Sequence, residues 1–301
     1  MTRSFALRLA AAILVPMMVA AAQPAVAATA APAKVTLDHI SVVKVGDGPP
    51  VVLIPGLATP LGVWDGVVPA LVRDHTVYLV QVNGFGGDAP GANLKPGVLD
   101  GIVGDLHTYL TSEKAPPVRL VGHSMGGLAG LMFAKAHPKQ VERLMVVDAL
   151  PFFSVLFDPA ASEASMEPIA SKMRDKVAAR YGQPADPAEL KGDVVGLALK
   201  PESRAALMKW AAAADPRVTA QTLYEDLTTD FRPGLATLTT PVTLVYPWSD
   251  SGFGKERTTA FYRRQYSAVP NIAFVDIGDA GHFAMLDQPE RFAEALYAFL
   301  K

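Results

Sequence analysis

Ser124 stands in the stretch Gly122-His123-Ser124-Met125-Gly126, with Gly127 next, between the apolar run "VRLV" and the helix-forming run "LAGLMFA". A serine hydroxyl is a weak nucleophile until a base takes its proton and a rigid frame presents it. The G-x-S-x-G spacing supplies such a frame. A strand that turns directly into a helix forces the serine into strained dihedrals, and the residues two positions away on either side must lack bulk. The helix start then favours negative charge, and the Met125 N–H can donate to an oxyanion. A bare five-residue pattern also fits an ordinary small-residue turn, so the elements around it decide its meaning.

Those elements alternate. "KVTLDHISVVKVGDG" reads as two strands ending in an Asp47-Gly48 turn. "PVVLIPG", "HTVYLVQV", "VRLVGH", "RLMVVDA", "VTLVYPW" and "IAFVDIGD" follow as apolar runs of strand length, the composition of strands buried on both faces. Residues 95–114 keep Val98, Leu99, Ile102, Val103, Leu106, Tyr109 and Leu110 on one helical face, and "QPERFAEALYAFL" does the same with Phe292, Leu296, Phe299 and Leu300. Strands alternating with helices predict an α/β fold, a mostly parallel central sheet with helices on both faces. Residues 151–234 break the pattern. They hold helix-length pieces at 162–181, 187–198, 202–214 and 217–229 and no convincing strand, which predicts an inserted helical cap folded onto the parent sheet.

The organisation expected is therefore a targeting segment at 1–27, a linker at 28–33, a first core part at 34–150, the cap at 151–234 and a second core part at 235–301. Arg3 and Arg8, the apolar stretch 9–22 and the small residues Ala25 to Ala27 have the order of a cleaved export signal. Pro16 interrupts the apolar run, which is shorter than the roughly 20 residues of a spanning helix. The expected location is periplasmic or extracellular, with no stable membrane span after cleavage. The chain has no cysteine, which excludes disulfides and a lipid-modified cysteine. With 27 basic and 29 acidic side chains and no basic stripe, it is a poor partner for nucleic acid.

"VVLIPG" before a helix, "VYLVQVNGFGG", "VGHSMGG", a helical insertion, "VTLVYPWSD" and "DAGHFAMLDQPERF" appear in one order. In this the chain resembles the α/β-hydrolase superfamily, its serine esterase and lipase-like branch with a helical cap, over nearly all of the mature sequence. The resemblance implies the order nucleophile, acid, histidine. It makes Ser124 the nucleophile and His282 the general base. His39, His75 and His107 come too early, His137 ends the following helix, and His123 is expected to point away from Ser124 as a structural residue. It implies Asp250 as the acid that orients the imidazole, with Asp148 at the end of the preceding strand as the alternative. Asp276 and Asp279 belong to the strand leading into His282 and are expected to turn elsewhere. The oxyanion donors are then the N–H groups of Leu57 and Met125. Pro55 stands where the family commonly has histidine, and "NGFGGDAPG" replaces its charged stretch, so no subfamily follows.

The expected reaction is hydrolysis of carboxylic esters through an acyl-serine, with a small-molecule ester as partner and no metal or other cofactor. A serine in place of aspartate argues against dehalogenase and epoxide-hydrolase chemistry. Met166, Met173, Leu197, Leu199, Met208, Trp210 and Leu223, with Phe152, Phe153 and Phe157, suggest a largely apolar cap with few fixed charges, suited to medium acyl or aromatic esters. The same triad could serve a lactonase, an amidase or a perhydrolase, and a non-catalytic binding protein can retain such a fold.

Overall fold

The continuous apolar runs owe their composition to burial on both faces. In the computed structural model, which describes residues 33–301, they form the inner strands of one eight-stranded sheet. The expected targeting segment, and the expected linker except Ala33, lie outside the described residues. The strands are β1 (Lys34–Thr36), β2 (Ile40–Val45), β3 (Pro50–Ile54), β4 (Thr76–Val82), β5 (Val118–His123), β6 (Val141–Val147), β7 (Val242–Trp248) and β8 (Ile272–Gly278). Their spatial order is β1-β2-β4-β3-β5-β6-β7-β8, parallel from β4 to β8 and antiparallel at the β1–β2 and β2–β4 pairs.

Helices cover both faces: α1 (Val68–Leu71), α2 (Val98–Ser112), α3 (Met125–Ala136), α4 (Glu163–Ala178), α5 (Pro187–Val194), α6 (Pro201–Ala213), α7 (Pro216–Thr228), α8 (Arg232–Leu235), α9 (Gly254–Gln265), α10 (Ala284–Asp287) and α11 (Pro289–Leu300). Alternate strand residues point to opposite faces. Val52 and Ile54 accordingly join Leu106, Leu128 and Leu131 in one core, while Val51 and Leu53 join Trp64, Leu71, Phe292 and Leu296 in the other.

The 151–234 insertion holds α4 to α8. Its helix starts are chemically marked. Proline occupies the first turn of α5, α6 and α7, and the side chains of Asp186 and Asp215 accept the N–H groups of Ala188 and Arg217 at 2.8 and 2.9 Å. The insertion is tied to loops that leave the C-terminal ends of strands. Asp215 N–H donates to Gly84 O at 2.7 Å, Phe231 N–H to Pro151 O at 2.7 Å, and Phe283 N–H to Leu197 O at 3.1 Å. It therefore sits against the edge where β3 and β5 diverge in their connections, the switch point at which open α/β sheets take up ligands. Among the described residues no helix is long and apolar enough to cross a membrane.

Candidate active site

Ser124 follows the last residue of β5 and precedes the first of α3, with φ +54° and ψ −127°. A non-glycine residue in that region costs about 1–3 kcal/mol and persists only where its surroundings enforce it. Here they do. A Cβ on Gly122 would lie 2.1 Å from Gly126 O, and one on Gly126 would lie 2.4 Å from Pro55 O, so both positions exclude any side chain. Ser124 N–H donates to Val147 O at 2.9 Å, and its carbonyl accepts the N–H groups of Gly127 and Leu128. The turn is pinned on both sides, and the Ser124 side chain is half-buried at the helix start.

The loop after β3 passes the same point. A Cβ on Gly56 would be 3.1 Å from Ser124 Cβ, which brings Leu57 beside the elbow. Thr59 returns its hydroxyl to Leu57 O at 2.9 Å, and Gln81 Oε1 accepts Leu61 N–H at 2.9 Å. These bonds brace the loop where Pro55 offers no side-chain donor. Among the described residues the N–H groups of Leu57 and Met125 donate to no protein acceptor, so both remain free for a ligand oxygen.

His282 lies between β8 and α10. Its Nδ1 donates to Asp148 Oδ2 at 2.7 Å, which leaves Nε2 as the lone-pair nitrogen. The expected acid is thereby corrected: Asp148, the alternative, meets His282, and Asp250 does not. The cause is backbone geometry. Asp148 takes φ +45° just beyond β6, and its N–H donates to Val245 O of β7 at 2.8 Å, so its carboxylate swings across the sheet edge. The chain after β7 instead folds on itself, with the N–H groups of Gly252 and Gly254 on Ser249 O, and leaves Asp250 exposed. As expected, Asp276 turns elsewhere, to Trp248 Nε1 and Lys255 Nζ, both at 2.8 Å, and Asp279 is exposed.

Four further residues shape the site, none of them assigned there from sequence. Tyr262 of α9 donates its hydroxyl to Asp148 Oδ1; burial, reinforced by that carboxylate, pushes the phenol well above its ordinary value of 10.0. The Tyr246 ring stacks against Tyr262 at 4.9 Å and holds it in place. His123, fully buried, donates Nε2–H to His282 O at 3.0 Å, with the two rings 4.6 Å apart. Burial, with the nearby His282 charge, drives the His123 pKa well below 6.5, so it stays neutral. It thus couples the residue beside Ser124 to the loop carrying His282. Asp287, wholly buried, accepts the N–H groups of Gly281, Leu199 and Lys200 at 2.9, 2.8 and 3.1 Å, fastening that loop to the insertion.

The apolar residues expected to form the cap divide. Phe152 and Met166 are core, Met173, Leu197, Met208, Trp210 and Leu223 are partly buried, and Leu199 and Phe157 face solvent. Trp210 reaches Phe283 at 6.3 Å, and Phe283 packs against both site histidines. The insertion is not free of buried charge: Asp226 of α7 is only 7% exposed. Burial pushes its carboxyl from 3.8 up to about 7 against the opposing pull of His282. The sequence signal for it was weak, an acidic residue one turn after Thr222 on a helix read as amphipathic.

A sequence model of the alpha/beta hydrolase family matches residues 51–295. A pimeloyl-[acyl-carrier protein] methyl ester esterase from Nitrosospira multiformis is 22% identical over 260 residues, covering 86% of this chain and 97% of that protein. The Aeromonas hydrophila esterase of the same name is 33% identical over 114 residues, 38% of this chain and 43% of the relative. Among solved structures, a thermophilic esterase from Thermogutta terrifontis shares the fold with a TM-score of 0.72 at 22% identity, over 89% of this chain and 98% of that one. A family match that spans most of the chain, on a sheet of this order, establishes that the chain belongs to the alpha/beta hydrolase family.

Proposed function

We propose that the protein hydrolyses carboxylic esters of small or medium apolar acids through an acyl-serine, with Ser124, His282 and Asp148 as nucleophile, base and orienting acid. The observations that carry this reading are a strained, glycine-enforced Ser124 at the start of α3 and a His282 whose Nδ1 is committed to Asp148. In this scheme the Ser124 hydroxyl attacks the ester carbonyl carbon and its proton passes to His282 Nε2. The Leu57 and Met125 N–H groups receive the oxyanion, each donor contributing ~3 kcal/mol to the transition state. Collapse breaks the acyl–oxygen bond, and His282 returns the proton to the departing alkoxide. Water then repeats the sequence on the acyl-serine, releasing the acid and restoring the hydroxyl. The relatives named as methyl ester esterases support ester hydrolysis as the reaction class.

The test is labelling by a fluorophosphonate probe together with turnover of p-nitrophenyl butyrate. Both are expected in the wild type and absent in Ser124→Ala. Labelling that persists in Ser124→Ala, or a wild type inert to both, overturns the proposal. Export to the periplasm or beyond belongs to the same proposal and rests on the order of residues 1–27. Recovery of the active protein solely from the cytoplasmic fraction of the native cell would count against it.

A further inference from the structure

Asp226 has no hydrogen-bond or ion-pair partner among the described residues, although it is more than nine-tenths buried. A carboxylate in that situation carries a desolvation penalty that a protein ordinarily offsets with a paired cation or several N–H donors. The basic side chains around α7 are committed elsewhere. Arg217 is paired with Asp215 at 2.6 Å and lies over Tyr181, Arg232 is paired with Asp230, and Arg174 is paired with Asp175 at 3.1 Å and lies over Tyr224. The neighbouring Glu225 is satisfied by the N–H groups of Gly97 and Leu99 at 2.7 and 2.9 Å. Asp226 alone is left over.

Its place in the fold points at the site. The last turn of α7 is fastened to the chain that leaves Asp148: Ser154 Oγ donates to Leu227 O at 2.6 Å, and Phe231 N–H to Pro151 O. His282 is near enough for its charge to act on the Asp226 carboxyl. The His282 ring is not a counter-ion dedicated to Asp226, because its Nδ1 is already held by Asp148 at 2.7 Å. From the buried, unpartnered carboxylate on the α7 turn docked on the segment that leaves Asp148, we infer that Asp226 is a recognition group for substrates carrying an ammonium on an otherwise apolar ester.

A hydroxyl would satisfy one lone pair and leave the charge uncompensated, whereas an ammonium supplies both donor and charge. Val218 and Leu227 of the same helix are part of the apolar core, and the hydroxyl of Thr222, one turn before Asp226, is spent on Val218 O at 2.8 Å. This inference rests on the ester-hydrolase reading and adds to it the chemical class of the acyl or alkyl group.

The experiment compares isosteric pairs of p-nitrophenyl esters: alanyl against 2-methylpropanoyl, and 3-aminopropanoyl against butanoyl. Wild-type enzyme is expected to favour at least one amino ester over its neutral partner by about 10-fold or more in kcat/KM, after correction for spontaneous hydrolysis. Asp226→Asn, checked by its melting curve, is expected to erase that ratio. Fluorophosphonate labelling is run alongside. A labelled wild type that cleaves neutral esters but shows no amino preference overturns the inference and leaves the hydrolase reading intact. Absence of both labelling and turnover overturns the hydrolase reading and this inference with it. A preference for the matching hydroxy ester above the amino ester overturns the ammonium assignment, as does an amino preference that survives Asp226→Asn.

Discussion

Replacing Asp148 by asparagine preserves shape and removes the charge that, in the proposed mechanism, faces the imidazolium formed when Ser124 gives up its proton. At the 2.7 Å separation of Asp148 Oδ2 and His282 Nδ1, and an effective dielectric near 20, the attraction is ~6 kcal/mol. Each tenfold in rate corresponds to about 1.4 kcal/mol, so the expected loss in kcat is about four powers of ten. The Asp148 side chain is only 9% exposed, so water cannot substitute for the lost charge. An asparagine amide facing Nδ1 would also favour the wrong imidazole tautomer, which acts in the same direction. The assay is single-turnover and steady-state cleavage of p-nitrophenyl butyrate by Asp148→Asn and Asp250→Asn, with melting curves to confirm folding. Asp250 is exposed and takes no part in this bond network, so its variant should stay within about twofold of wild type. A folded Asp148→Asn enzyme that keeps a tenth of its kcat, or an Asp250→Asn enzyme that loses a thousandfold, refutes the assignment.

Tyr262→Phe removes the donor to Asp148 Oδ1 while keeping the ring stacked on Tyr246. A charge-assisted hydrogen bond of this kind is worth about 1.5–3 kcal/mol, so kcat should fall about 10-fold or more with KM little changed; an unaltered kcat would show that Asp148 needs no second anchor. Gly126→Ala places a methyl 2.4 Å from Pro55 O and 2.6 Å from Ile54 O, both backbone atoms that must move. The expected cost is ~3 kcal/mol, read as a lowered melting temperature and slower fluorophosphonate labelling, and a variant that labels and melts like wild type contradicts the close packing of the elbow. Asp226 makes stability depend on pH. Its carboxyl holds a proton more tightly folded, at about 7, than unfolded, at 3.8, so stability should decline as pH rises from about 4 to about 7 and then level off. The full rise corresponds to ~4 kcal/mol at most. Asp226→Asn should flatten that decline in urea-unfolding free energies measured from pH 4 to 8, and an identical slope in both proteins would exclude a buried, unpaired carboxyl.

The reach of sequence reasoning here follows from how local each constraint is. Strands buried on both faces must be continuously apolar, and an elbow without room for a Cβ must be flanked by glycine. Both demands act on neighbours in the chain, so β3 to β8 and the Gly122–Gly126 turn could be read directly. The acid is set by something else. Asp148 and Asp250 each follow an apolar strand, and nothing in "VVDALP" or "PWSDSG" says which carboxylate crosses to His282. The answer lies in the pairing of Val147 with Val245, which lets Asp148 N–H reach the β7 carbonyl and turns its side chain along the sheet edge. His123 shows the same limit in reverse. Alternation along a strand predicts that it points away from Ser124, but only the return of the chain after β8 reveals its bond to His282 O. Glu225 and Asp226 are adjacent, equally acidic and on one helix. The helix rotates them about 100° apart, so one caps the start of α2 and the other is enclosed without a partner. A charge so placed is costly unless a ligand compensates it, which is the physical ground for giving the least conspicuous residue in "YEDLTT" a part in the proposed ester selectivity.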